Sequence, residues 1–324
     1  MSSYQEMVER VADLIGKNSE LGKSFILVGD NSSGKSDVLY RVVEQKLPDA
    51  VYLIDSVNRT FDADRVELMS KAYEKVKLDS GEVVKERLLP FHFNLQDTFQ
   101  AASCIEQLYD KYKDRLTELC REFLGKEIQI LREIVDMGIP ENVVMIDGSR
   151  AKLSSGYQAV IRLFCEILYF CDVMEDRKWP KGLVVIDEID EYLSPKYSAE
   201  ICNFLQKRFP KLVFLVTTHS LDLVRNSEHA DLVILRDTEY EIHAGQELEN
   251  AISAESIFTD LFFEERVIHP SENDWLDEKL RALLNSRIAG VWDEKMQKEL
   301  RQMENEQLLP HQKMICRQIE EWQS

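Results

Sequence analysis

The chain has 324 residues, 44% hydrophobic and 31% charged, with 12 Gly and 8 Pro. That composition excludes disordered and collagen-like classes and fits one large domain with appendages, or two domains. A formal net charge of -19 and a pI near 4.8 set most of the surface against polyanions, so nucleic acid is disfavoured as a partner; the same acidity serves solubility or offers a face to a basic protein.

In chain order, Met1 to Gly16 carries an amphipathic helical pattern with acidic residues, unlike a basic leader followed by an apolar run. No stretch approaches the ~18 apolar residues of a membrane span, and the expectation is a cytoplasmic protein without a membrane partner. Ser24 to Val28 reads as a short buried strand entering a Gly-rich turn, and Asp37 to Glu44 continues as a helix. Apolar runs at Val51 to Ile54, Val143 to Ile146, Leu183 to Ile186, Leu212 to Val216 and Leu232 to Leu235 predict further strands, several of them neighbours. The runs at Leu183 and Leu212 are continuous, as in strands covered on both faces, with a helix pattern over Ala199 to Lys207 between them. This predicts an α/β fold with a mostly parallel sheet.

From Thr98 to Met137, Ile105, Leu108, Tyr112, Leu116, Leu119, Phe123, Ile128 and Leu131 recur at helical spacing among charges. The stretch predicts a helical insertion, read as a cover for the sheet with a docking arm as the alternative. Glu239 to His243 reads as a final hairpin strand. From about Ser271 the chain is charged and helical, with Trp275, Leu276, Leu280, Leu283 and Leu284 on one apolar face. The six cysteines, Cys104, Cys120, Cys165, Cys171, Cys202 and Cys316, form no C-x-x-C pair and argue against a zinc site.

Gly29-Asp30-Asn31-Ser32-Ser33-Gly34-Lys35-Ser36 matches the phosphate-loop pattern G-x-x-x-x-G-K-[ST] at every fixed position. Small residues let main-chain N–H groups turn inward around phosphate oxygens, and the next helix presents its positive end. Gly29, Asn31, Ser32, Ser33, Gly34, Lys35, Ser36 and Asp37 are therefore the candidate nucleotide-binding residues, with Lys35 reaching the β and γ phosphates and Ser36 offering its hydroxyl to Mg2+. Leu183-Val184-Val185-Ile186-Asp187-Glu188 is an apolar strand ending in two carboxylates, an arrangement in which Asp187 would serve Mg2+ and Glu188 would polarise the attacking water.

Leu153-Ser154-Ser155-Gly156-Tyr157-Gln158 resembles the LSGGQ signature of ATP-binding-cassette ATPases, and Thr217-Thr218-His219-Ser220 resembles their switch-histidine segment. With Asp187-Glu188 between them the motifs stand in that family's order, and Leu193-Ser194-Pro195 is similar to the L-H-P of soluble members. The resemblance implies ATP and Mg2+ as ligands, ATP hydrolysis, and catalytic roles for Lys35, Glu188 and His219. It also implies a composite site, in which Ser154 and Gly156 at a helix N-terminus close on ATP held by a second copy; the same residues serve equally as a helix cap. The family's glutamine, a ligand of Mg2+ and water, falls at Gln96, with Gln100 as a rival and an ordinary surface glutamine as the plain alternative. Arg59 is read as a surface arginine rather than a phosphate contact.

The sequence departs from the family in two places. The residues before the first strand look helical, so the usual N-terminal β-subdomain with its adenine-stacking aromatic is expected to be missing, which leaves base selectivity open. Tyr157 stands where Glu or Gln is common. The expected organisation is a P-loop half over residues 1–97, a helical insertion over 98–138, a signature-bearing half over 139–262 and a helical tail over 263–324.

Among soluble relatives, the resemblance implies a regulatory ATPase that becomes a homodimer on binding ATP and controls a separately encoded effector, as in bacterial anti-phage systems. The competing expectation is a DNA repair or recombination ATPase. That role needs a basic patch, for which Lys71, Lys75, Lys77, Lys85 and Arg87 are the candidates, though acids interleave them.

Overall fold

The structure is a computed structural model that describes residues 3–30, 32–47, 49–69, 71–77, 79–96, 98–99, 104–134, 140–227, 229–236, 238–245, 279–280, 283, 286–287, 291–303, 316 and 319. Asn31, Gln100, Trp275, Leu276 and Leu284 lie outside the described residues. The chain divides into two units, Met1–Phe262 and Phe263–Ser324.

The first unit is built on strands whose residues are apolar at nearly every position, because helices cover both sheet faces. β1 (Ser24–Gly29), β2 (Val51–Ile54), β6 (Gly182–Ile186) and β7 (Leu212–Thr217) are buried throughout. With β8 (Ala230–Arg236) and β9 (Glu239–His243) they form a six-stranded sheet in the order β2-β6-β7-β1-β8-β9. Every pairing from β2 to β8 is parallel, and β9 closes the edge as an antiparallel hairpin partner of β8. The parallel register brings the carboxyl ends of β1, β6 and β7 side by side, with Leu27 opposite Thr217 and Ile186 opposite Val216. Open parallel sheets bind ligands at such ends.

Helix α1 (Ser3–Glu20) packs on α2 (Lys35–Lys46), where Arg41 donates to Glu9 and Gln45 to Asp13. α5 (Ser155–Arg177) is buried around nearly its whole circumference from Ala159 to Phe170, as befits a helix with protein on every side. α4 (Tyr109–Leu124) turns an apolar face toward it, and Phe123 of α4 meets both Phe164 of α5 and Phe204 of α6 (Pro195–Arg208).

The expectation of a helix through Thr98 to Met137 holds for α4 and fails after it. Gly125, at φ 66, ends α4 in the left-handed conformation that glycine adopts at low cost. Ile128–Ile134 is a strand, β3, paired antiparallel with β4 (Pro140–Ile146), which in turn pairs with β5 (Ser149–Arg150). Ile128 and Leu131 are compatible with a helix by spacing. The alternation of β-branched Ile128 and Ile130, both buried, decides for a strand. Val143–Ile146 thus belongs to this second sheet, not the parallel one. Tyr109 and Thr117 tie the sheet to α4, the first accepting from the Ile130 amide at 2.8 Å and the second donating to the Ile128 carbonyl at 3.2 Å.

In the second unit, Leu280, Leu283, Leu300, Met303, Cys316 and Ile319 form a small apolar cluster, and α7 (Glu294–Met303) supplies two of its members. No helix among the described residues is long and apolar enough to cross a membrane.

A buried ionic network lies under the β2 edge. Glu166 of α5 accepts from Arg87 at 2.8 Å, from Arg162 at 2.8 Å and from the Tyr52 hydroxyl. Arg87, a candidate for a basic surface patch by sequence, is fully buried here at the end of α3 (Ser80–Arg87) and also donates to the carbonyls of Leu53 and Thr98. Burial alone would raise the Glu166 carboxyl, but the guanidiniums of Arg87 and Arg162 outweigh it and hold the group at about 2, below its ordinary 4.5. Glu166→Ala strands two buried cations and is expected to lower stability by about 3–5 kcal/mol in urea unfolding. Because the folded value is depressed, the wild-type advantage is full above the ordinary carboxylate value and shrinks as pH falls from about 4.5 toward 2.

Candidate functional site

The loop between β1 and α2 is shaped by its glycines. Gly34 sits at φ 98 at the N-cap of α2, and a Cβ there would lie 2.7 Å from the Tyr4 hydroxyl. Neither backbone nor space admits a side chain. Lys35 lies on the first turn of α2 and folds back so that Nζ donates to the carbonyls of Gly29 at 2.9 Å and Asp30 at 3.0 Å. Burial draws the Lys35 ammonium below its ordinary value, against the opposing pull of Asp187 and Glu188. Among the described residues, the buried Ser33 hydroxyl has no hydrogen-bond partner. An orphaned hydroxyl, a buried ammonium and a helix N-terminus facing the same loop suit a phosphate group.

The acidic turn after β6 is held on every side. Asp187 accepts through Oδ2 from Ser36 at 3.1 Å and from Asn94 at 2.7 Å, and through Oδ1 from the Thr217 hydroxyl. The carboxylate at the end of β6 therefore meets the phosphate-loop serine at the start of α2, as the two motifs require if they are to share Mg2+. The ion would neutralise charge on the phosphates that Lys35 faces. Ser36 Oγ and Asp187 Oδ2, already in contact, are the hard oxygen donors such an ion takes.

Glu188 follows at φ 52, in the left-handed region that non-glycine residues seldom occupy. Its amide donates to Thr217 Oγ1 at 2.6 Å, and the Ile189 amide donates to the Thr217 carbonyl at 3.1 Å. Burial raises its carboxyl above the ordinary glutamate value, reinforced by Asp187 and Glu191 and opposed by Lys35. A half-buried carboxylate of raised basicity beside a phosphate site is suited to polarising water. His219 follows Thr218 beyond β7. Desolvation and then the Lys35 ammonium hold its imidazole below the ordinary value, with Asp190 and Asp187 opposing. His219 is exposed by surface area and lies within electrostatic reach of Lys35, Asp190 and Asp187.

Ser154 caps α5, its hydroxyl accepting from the Tyr157 amide at 3.3 Å. Gly156 has its own local reason, since a Cβ there would come within 2.8 Å of the Tyr192 carbonyl. The contacts described for Ser154 and Gly156 run to Tyr157 and Tyr192, not to the phosphate loop of the same chain, and Ser154 is exposed. Gln96 is exposed too, and the side chain that reaches Asp187 from this segment is Asn94.

Sequence reading gave no role of their own to Asn94, Thr217 and Tyr4. Asn94 sits at φ 54, a conformation Asn tolerates better than most residues, and its Oδ1 accepts from the Ser56 amide at 3.1 Å. A hydroxyl at the last position of an otherwise apolar strand was the available signal for Thr217. Tyr4 donates to the Asp37 carboxylate across Gly34, and burial, then Asp37, pushes its hydroxyl up to about 12. An aromatic from a helix, not from a β-subdomain, thus stands at the phosphate loop. Arg59, expected at the surface, is 4% exposed. Its guanidinium faces main-chain carbonyls after β2 and β6.

A mostly parallel sheet thus sets a phosphate loop, an acidic turn and a histidine segment on three adjacent strand ends, and these motifs resemble those of ATP-binding-cassette proteins. Among named proteins, Septu protein PtuA of Bacillus mycoides (strain KBAB4) is 34% identical over 140 residues, 41% of this chain and 19% of that protein. Retron Ec83 probable ATPase of Escherichia coli is 21% identical over 236 residues, 68% of this chain and 43% of that protein. The chain thus spans less than half the length of these curated relatives. A solved ADP conformation of an ATP-binding cassette of an ABC transporter aligns over 75% of this chain and 89% of that chain, at 13% identity and a TM-score of 0.39. No family model matches the chain.

Lys35→Ala removes the one ammonium that the loop folds around and is expected to weaken equilibrium binding of a fluorescent ATP analogue by about 10-fold or more, the worth of one charge-assisted hydrogen bond at 1.5–3 kcal/mol. Unchanged affinity would remove the loop from the nucleotide site.

Proposed function

We propose that the chain binds and hydrolyses MgATP and uses the bound nucleotide to close on a second copy of itself, a switch that regulates a separately encoded effector in bacterial anti-phage defence. The observation that carries the reading is the contact of Ser36 with Asp187, which joins the phosphate loop to the acidic turn with Glu188 next in sequence. In this reading Lys35 and the loop amides hold the phosphates, Ser36 and Asp187 hold Mg2+, Glu188 takes the proton of the attacking water, and His219 senses the γ-phosphate.

The exposure of Ser154 at the head of α5 supports the dimer, because an exposed helix N-terminus is available to a phosphate held elsewhere. The likeness to a Septu protein and a retron ATPase supports the defence setting. Hydrolysis resets such a switch, since a dimer biased by the γ-phosphate opens once that group is lost.

Glu188→Gln is expected to keep ATP binding and to lower turnover by about 10²–10⁴-fold, the usual worth of a general base. The same variant should become a dimer in light scattering only when MgATP is present. A variant that binds MgATP and remains a monomer would leave Ser154 and Gly156 as a helix cap and remove the switch.

A further inference from the structure

Glu188 occupies a left-handed backbone conformation that is costly for a residue with a side chain, and such strain persists only where the surroundings over-determine it. Two side chains hold the peptide group between Asp187 and Glu188. Its N–H, on Glu188, donates to Thr217 Oγ1 at 2.6 Å, and its C=O, on Asp187, accepts from Arg59 Nη2. Nη2 also lies 3.5 Å from the Glu188 carbonyl, while Nη1 donates to the carbonyls of Asp55 and Asn58, each at 3.1 Å.

All four contacts described for Arg59 thus go to main-chain carbonyls, two after β2 and two after β6. A buried guanidinium usually seeks a carboxylate; here it serves as a fork between two backbone turns, which its planar array of donors allows and an ammonium cannot reproduce. Burial lowers the basicity of the group and Asp55 partly offsets this.

Rotation of that peptide plane would break both bonds at once and carry Glu188 to negative φ, re-aiming its carboxylate. We propose that Arg59 is a positioning residue which, with Thr217, latches the Asp187–Glu188 peptide and so keeps the Glu188 carboxylate aimed at the phosphate site. This inference rests on the hydrolytic reading of that site. It separates Arg59 from phosphate binding, because a guanidinium committed to four carbonyls has no role in holding nucleotide.

Arg59→Met removes the fork and keeps most of the buried volume. Arg59→Lys keeps the charge and covers the case in which the first variant fails to fold. Both are expected to bind a fluorescent ATP analogue within about threefold of wild type, since loop and Lys35 are untouched. Turnover should fall by about 10²-fold in Arg59→Met, the cost of a misplacement near 1 Å, and by less in Arg59→Lys. Amide exchange should quicken over residues 187–189 and stay unchanged over α2 and α5.

Affinity and turnover falling together, turnover unchanged, or faster exchange spread through β2 and α5 would each overturn the latch. A wild-type protein without turnover would instead remove the hydrolytic reading, and the exchange comparison would still decide whether Arg59 holds the peptide.

Discussion

The carboxylate of Asp187 is the point on which the site depends. It receives Ser36 from the phosphate-loop helix, Asn94 from the segment after α3 and Thr217 from the end of β7. Three stretches distant in sequence are thus fixed relative to one another by one side chain, itself at the end of a fully buried strand. Hydrogen bonds to an ionised acceptor are about twice as strong as neutral ones, which makes a carboxylate an effective hub. The parallel sheet makes the meeting feasible, because its register sets the ends of β1, β6 and β7 side by side.

Beneath that hub a second layer of buried charge fixes the frame. Arg87, Arg162, Glu166 and Tyr52 close on one another, and Asn58 Oδ1 accepts from Arg87 at 3.2 Å and from Arg162 at 2.9 Å. Asn58 also passes its carbonyl to Arg59, whose other arm reaches Asp187. A continuous run of buried hydrogen bonds therefore joins α5, which carries Ser154 and Gly156 at its head, to the acidic turn. Buried charges are tolerated only when fully paired, and Glu166 is paired with both Arg87 and Arg162.

Much of the site was legible in the sequence because its chemistry is local. The phosphate loop, the carboxylate pair and the Thr-Thr-His segment are short motifs attached to buried strands, and Ser36, Asp187 and Thr217 meet where the topology puts those strand ends. What escaped notice depends on distant contacts. Arg59 reads as a surface residue until β6 supplies the carbonyls that bury it, and Arg87 until α5 supplies Glu166. The strand at Ile128–Ile134 was hidden in a helical pattern because Ile128 and Leu131 keep helical spacing, whereas in the strand Ile128 and Ile130 turn inward and Leu131 turns outward. Asn94 took the place sought for a glutamine because its short side chain bridges Ser56 and Asp187 from a left-handed turn.

The most direct test of the central claim is the magnesium dependence of ATP binding in wild type and Asp187→Asn, a substitution that keeps the shape of the side chain and removes its charge. If Asp187 and Ser36 form the ion site, Mg2+ tightens ATP binding to the wild type and leaves the variant almost unaffected, while binding without Mg2+ survives in both. Equal tightening by Mg2+ in the two proteins would contradict the account and leave Asp187 as a structural hub alone.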